Sequence, residues 1–262
     1  MARAWHLFNR LSNRVLPKGW IDAFRQLLLF ASAYYLYRIV RGMVDGKASA
    51  AFENARDIIS AERSLHLFWE QDFQEWAMRD ARWIVDGANW MYVNSHFVLT
   101  VGFLIWLYLR RNEAYYFVRN MFMVAMGIAL VGYVVYPTAP PRFMPEWGFQ
   151  DTVTEWVGLQ AAHNANALYN PFAAVPSMHV AFALMIAVPA LYVIRNRVIR
   201  AFFAVYPLLI TITVVVTGNH WWFDAFLGAL VAGVSALAAS GALARARPDA
   251  WAFRSGLREA PV

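Results

Sequence analysis

Between Gly87 and Leu109 the chain runs for 23 residues without an Asp, Glu, Lys or Arg. An uncharged helix of that length matches the thickness of a bilayer's hydrocarbon core, which takes roughly 20 apolar residues to cross. In lipid the backbone must satisfy its own hydrogen bonds, so a spanning segment of this kind is helical. This run constrains the fold more than any other feature, and it does not stand alone. Apolar stretches recur at about 20–41, 117–136, 177–194, 201–217 and 225–244. The first is the weakest, because Arg25 and Arg38 bracket only twelve uncharged residues, and it spans only if both arginines reach back to the interface. The last is rich in Ala and Gly, which suits close packing between helices. The composition agrees: 60% of residues are hydrophobic and 15% charged, away from the soluble average and towards that of membrane proteins. The expected fold is all-α and integral to the membrane, with six transmembrane helices and an outward amphipathic helical insertion between the first two.

The insertion is read from residues 49–80. Phe52, Ala55, Ile58 and Ile59, then Leu65, Phe68, Trp69, Trp76 and Ala77, recur at helical steps. Its charged residues are expected to form a solvated face. No repeat or low-complexity tract divides the chain, so residues 1–262 are read as a single membrane domain with a polar tail at 245–262.

Lys and Arg give the orientation. The N-terminal segment carries Arg3, Arg10, Arg14 and Lys18 without an acid, and no short apolar core with a cleavage site follows, so no cleaved signal peptide is expected. Further clusters are Arg110, Arg111 and Arg119, then Arg195, Arg197 and Arg200, then Arg245, Arg247, Arg254 and Arg258. The alternate loops differ: residues 44–80 hold eight acids against four bases, and 137–175 hold a single base, Arg142. The positive-inside rule then places both termini in the cytoplasm and the loops 44–80, 137–175 and 218–223 on the opposite side. The net charge of +6 therefore reads as membrane flanks, and nucleic acid is not an expected partner. The absence of Cys removes thiolate chemistry and Cys-ligated metals.

Three segments on the expected outer side carry reactive residues. They are Tyr136–Phe143 with Arg142, Pro176–His179 with Ser177 and His179, and Gly218–Asp224 with Asn219, His220 and Asp224. His220 and Asp224 are four apart at a helix start, so they share a face. A carboxylate there can fix the imidazole tautomer and leave the other nitrogen free as nucleophile or base. Each feature also has a structural reading: a His–Asp bond that anchors a span, a Ser cap on a helix, a polar residue at a helix start, an Arg on lipid headgroups. Together, one Arg, two His and one Asp supply the roles phosphoryl transfer needs. His96 and Asn94, inside the second stretch, are read as a buried polar contact between helices. A bis-histidine haem or metal site is not expected, since no clear third ligand accompanies His179 and His220.

Pro176-Ser177-Met178-His179, followed by His220-x-x-x-Asp224, resembles two signature blocks of the type 2 phosphatidic acid phosphatase superfamily. The resemblance covers roughly 115–240. It implies six spans with the site on the non-cytoplasmic face, and no cofactor or metal. It also implies roles: His220 as the nucleophile that becomes phosphohistidine, Asp224 orienting it, and His179 as acid and then base. Arg142, Ser177 and Asn219 would bind the phosphate. The family's first-block lysine falls on Val135, Phe143 follows Arg142 in place of Pro, Met178 replaces Gly, and the Ser-Arg pair falls on Thr213 and Val214. With two phosphate-binding cations replaced, the pattern looks like the inositol phosphorylceramide synthase branch. Asn219, Thr217, His163 and Arg63 are candidates to replace them. The expected partners are a membrane lipid, and water or a small inositol-like alcohol as acceptor. The alternative is a degenerate relative that binds lipid without cleaving it.

Overall fold

The computed structural model describes residues 16–44, 46–158 and 172–241. Every regular element among them is helical, and β pairing there is confined to a bridge between Thr138 and Ala173. The helices are α1 (Gly19–Val44), α2 (Ala48–Ser64), α3 (Glu70–Asp80), α4 (Arg82–Arg110), α5 (Asn112–Val135), the short α6 (Thr152–Val157), α7 (Met178–Val193), α8 (Arg197–Val216) and α9 (Trp222–Ser240). His163 and the tail 245–262 lie outside the described residues.

Among the described residues, each of the six apolar stretches forms a helix over most of its length. By length and composition α4, α5, α8 and α9 can cross a membrane. The helix α7 is apolar but has 16 residues, and α1 carries Asp22, Arg25 and Arg38 along its length. The apolar stretches end where polar chemistry stops them. Asn196 caps α8, its side chain accepting from the N–H groups of Val198 and Ile199. The break between α4 and α5 falls at Arg110–Arg111.

The interior of the bundle is built by α4, α5, α7, α8 and α9, with Val118, Ala125, Ala181, Ile186, Tyr206, Ile210 and Val214 at its centre. On α9 the buried positions Ala225, Gly228, Ala232, Ser235 and Ala239 recur at three- and four-residue steps, so one small-residue stripe meets α5 and α7. The opposite face of α9 exposes Phe226, Leu230 and Leu237, and α1 exposes Leu27, Leu28 and Tyr35. Apolar faces of this extent suit lipid rather than water.

A second cluster sits at one end of the bundle. Ala51, Ala55, Ile58 and Ile59 of α2 pack on Ala139, Met144, Phe149, Val175 and Trp221, which belong to the interhelical loops. The connection from α2 to α3 turns at His66, whose φ is +57°. The two helices therefore have separate faces. Leu65, Trp69 and Trp76, read on the apolar side of one amphipathic helix or two, are exposed, whereas Glu62 and Glu70, expected in solvent, are 3% and 0% exposed. The physical reason lies in their partners: each carboxyl accepts a backbone N–H from the start of α9, which compensates its loss of water.

Candidate active site

Four bonds tie together the loops that bear the reactive residues. Thr138 N–H donates to Phe172 O at 2.9 Å, Arg142 N–H to Gly218 O at 2.8 Å, and Ser177 N–H to Asp224 O at 2.9 Å. The indole Nε1 of Trp221, itself wholly buried, donates to Ala139 O at 3.1 Å. Gly218 makes the turn out of α8 possible. Its φ is +66°, and an added Cβ would stand 3.2 Å from the Arg142 Cβ. The three segments singled out in the sequence thus converge on one end of the bundle.

At their centre are two imidazoles. His220 is 5% exposed and Asp224 is fully buried. His220 Nδ1 lies 2.9 Å from Asp224 Oδ2 and 3.0 Å from Ala174 O. A backbone carbonyl can only accept, so Nδ1 carries the proton and Nε2 presents a lone pair. That lone pair meets His179 Nδ1 at 3.2 Å. Burial first, and the Arg142 guanidinium second, push the His220 imidazole down to about 3, against the opposing pull of the Ala174 carbonyl. Burial therefore favours the neutral imidazole, the form in which Nε2 can attack an electrophile.

The remaining expected residues stand around this pair. Ser177 is buried and caps α7, its hydroxyl accepting from Val180 N–H at 3.5 Å. The structural reading of Ser177 therefore holds, and the helix start that it caps is of the kind that stabilises an anion. Arg142 is 8% exposed, held in a 3-10 turn behind Pro140 and Pro141. Its guanidinium lies over the Phe143 ring and its Nε is 3.8 Å from Asp151 Oδ2, so its charge is only loosely compensated. Asn219 donates Nδ2 to Thr217 Oγ1 at 2.7 Å, while its buried Oδ1 has no partner. Arg63, a candidate replacement cation, is exposed and lies over the rings of Phe68 and Trp147. The positions that carry cations in the family pattern offer none: Val135 is exposed and Val214 is wholly buried.

Two sets of residues were not placed at the site by the sequence reading. The first surrounds His179. A π-helical turn at Met91–Ser95 interrupts α4, and the rings of Tyr92 and His96 then lie 4.8 Å and 5.1 Å from that of His179. Such turns recur at functional sites. His96 also meets Tyr206 OH of α8 through Nδ1 at 2.9 Å, so it is the contact between helices that was expected and a neighbour of the site as well. Asn94 is not buried; it is exposed and bonds back to Trp90 O. The second set is Glu62, Glu70 and Gln74 on α2 and α3. Gln74 bridges the loops, donating to Val216 O and Gln150 O and accepting from Gln150 N–H. The solitary His96 within an uncharged run was a usable signal; the two glutamates, in a segment with many acids, gave none.

Comparison with known proteins adds one match. A family model described as the PAP2 superfamily covers residues 56–238, more than half of the chain. No curated protein and no solved structure matches significantly.

Proposed function

The chain belongs to the PAP2 superfamily, and from that premise we propose that it cleaves a lipid phosphate or phosphodiester through a phosphohistidine on His220. Membership of the family points to an integral membrane protein with lipid-phosphatase-like chemistry. The observation that carries the finer reading is the facing pair at 3.2 Å, His220 Nε2 and His179 Nδ1, with Asp224 behind His220.

The reaction follows from those atoms. A phosphoryl group enters between the rings, with its oxygens towards Arg142, Asn219 and the start of α7. His220 Nε2 attacks phosphorus while the bond to the leaving alcohol oxygen breaks. His179, in its protonated form, gives that oxygen a proton. Asp224 accepts the Nδ1 proton bond throughout and stabilises the charge that His220 gains. An acceptor hydroxyl then loses its proton to His179, its oxygen attacks phosphorus, and the P–N bond breaks to restore His220. Water as acceptor makes the enzyme a phosphatase; a small alcohol makes it a phosphotransferase. The replacements at Val135, Phe143, Met178 and Val214 support an inositol-like alcohol.

In this proposal α1 and α7 cross the bilayer together with α4, α5, α8 and α9, giving six spans. The arginine clusters support cytoplasmic termini, with α2, α3 and the site on the other face.

Purified protein supplied with lipid phosphates and phosphoinositides, with and without inositol, tests the reading. Cleavage is expected, and His220→Ala should lower it by about a thousandfold or more. Unchanged turnover in that variant would exclude the mechanism. A second reading draws on the replaced cations: a protein that binds the lipid without cleaving it. It predicts a bound lipid recovered intact and unaffected by His220→Ala.

A further inference from the structure

The start of α9 holds Asp224 one helical turn from His220, yet the helix has no cap of its own. Trp221 occupies the N-cap position and makes no side-chain cap bond. The orphan amides of the first turn are satisfied from elsewhere. Glu70 Oε1 accepts from Trp222 N–H at 2.9 Å, and Glu62 Oε1 accepts from Phe223 N–H at 2.8 Å. The two glutamates come from different helices, α3 and α2, and both are buried.

Their outer oxygens raise a difficulty. Glu62 Oε2 and Glu70 Oε2 are each buried without a donor, and the two carboxyls lie side by side, because their Oε1 atoms accept from the successive amides of Trp222 and Phe223. Two carboxylates cannot bond to each other unless one of them carries a proton. Neither glutamate has an ion-pair partner among the described residues, and the titratable group facing them from α9 is Asp224, with His220 behind it. Fully ionised, the cluster would place three negative charges in a buried pocket, a heavy cost in low dielectric.

We propose that Glu62 and Glu70 share a single proton and act as a two-carboxyl clamp that positions the start of α9, and through it Asp224 and His220. The shared proton gives each orphan oxygen its partner. Burial first, then the neighbouring Glu70, raises the Glu62 carboxyl to about 9, so the proton is retained across the physiological range. The linkage has a definite sign. The folded protein keeps a proton that the unfolded chain releases above its ordinary value of 4.5. The clamp is therefore strongest in acid and loses stability as pH rises towards about 9. The helices between α1 and α4 thereby become part of the site rather than an appendage to it. The positioning role rests on the reading of His220 as nucleophile; the shared proton does not.

A double-mutant cycle on the full chain in detergent separates the two statements. In Glu62→Gln the amide oxygen keeps the Phe223 bond, and the amide N–H replaces the shared proton. Glu70→Gln does the same in mirror image. In the double variant two NH₂ groups face each other with no acceptor. Each single variant should melt close to the wild type and keep kcat within about threefold, whereas the double should melt well below the sum of the singles and lose about tenfold or more in kcat. The decline in melting temperature between neutral pH and about 9 should be shallower in Glu62→Gln. Melting needs no substrate: additive melting, or an unchanged alkaline slope, overturns the shared proton. An unchanged kcat in the double variant, with His220→Ala inactive, overturns the positioning role and leaves the mechanism standing.

Discussion

In the proposed mechanism His179 has more work to do than its neighbours, because it faces the nucleophile in one step and the acceptor in the next. Its ring is held by aromatic neighbours rather than by a carboxylate: Tyr92 at 4.8 Å and His96 at 5.1 Å between centroids. His96 is itself fixed by Tyr206 OH, and its buried Nε2 has no partner. His96→Phe preserves the ring and removes the Tyr206 bond. It should lower kcat by about ten- to a hundredfold, since small misplacements of a catalytic group are costly. Tyr206→Phe should act in the same direction and more weakly. Steady-state kinetics on one lipid substrate check both, and unchanged kcat in both would remove His96 from the site. At this scale the sequence was informative where chemistry is sparse. His179, His220, Asp224 and Arg142 stand out because their segments hold few other ionisable groups. Glu62 and Glu70 do not, because eight acids share residues 44–80 and only tertiary contact distinguishes a buried carboxyl from a solvated one.

The elements that set the spacing of the two histidines are α7 and α9, and the start of α7 lies against Gly228 of α9. A Cβ there would clash with Ser177 O, a backbone atom that cannot swing aside. Gly233, on the same helix, has nothing within 4 Å of its added Cβ. Gly228→Ala should destabilise the protein by about 1–3 kcal/mol as an overpacked contact, and lower activity by moving the Ser177–His179 segment away from His220. Gly233→Ala should do neither. Thermal melting and turnover of the two variants side by side test this, and equal behaviour would contradict the packing argument. The apolar periods announced these helices, and their ends were set by residues such as Asn196 that the pattern contains. The π turn at Met91–Ser95 was not announced, because its residues, Met-Tyr-Val-Asn-Ser, include no Pro or Gly to mark a break.

For the molecule as a whole, the family match begins within α2 and runs through most of α9. The structure supplies a reason for that extent. α2 and α3 cover the loops, clamp the start of α9 through Glu62 and Glu70, and bridge Val216 to Gln150 through Gln74. The apolar helices carry the histidines to one end, and the amphipathic pair fixes them there. The charge pattern that supports the proposed orientation is spread over four separate arginine clusters, so it does not depend on where any single span begins or ends. The central claim is that phosphorus becomes bonded to His220, and one measurement addresses it most directly. The purified protein is mixed with a lipid substrate bearing labelled phosphorus, quenched during turnover, digested and mapped. An acid-labile, alkali-stable label on the peptide that contains His220, absent from His220→Ala, is the predicted result. Label on Ser177, or turnover without any labelled protein and undiminished in His220→Ala, would contradict it.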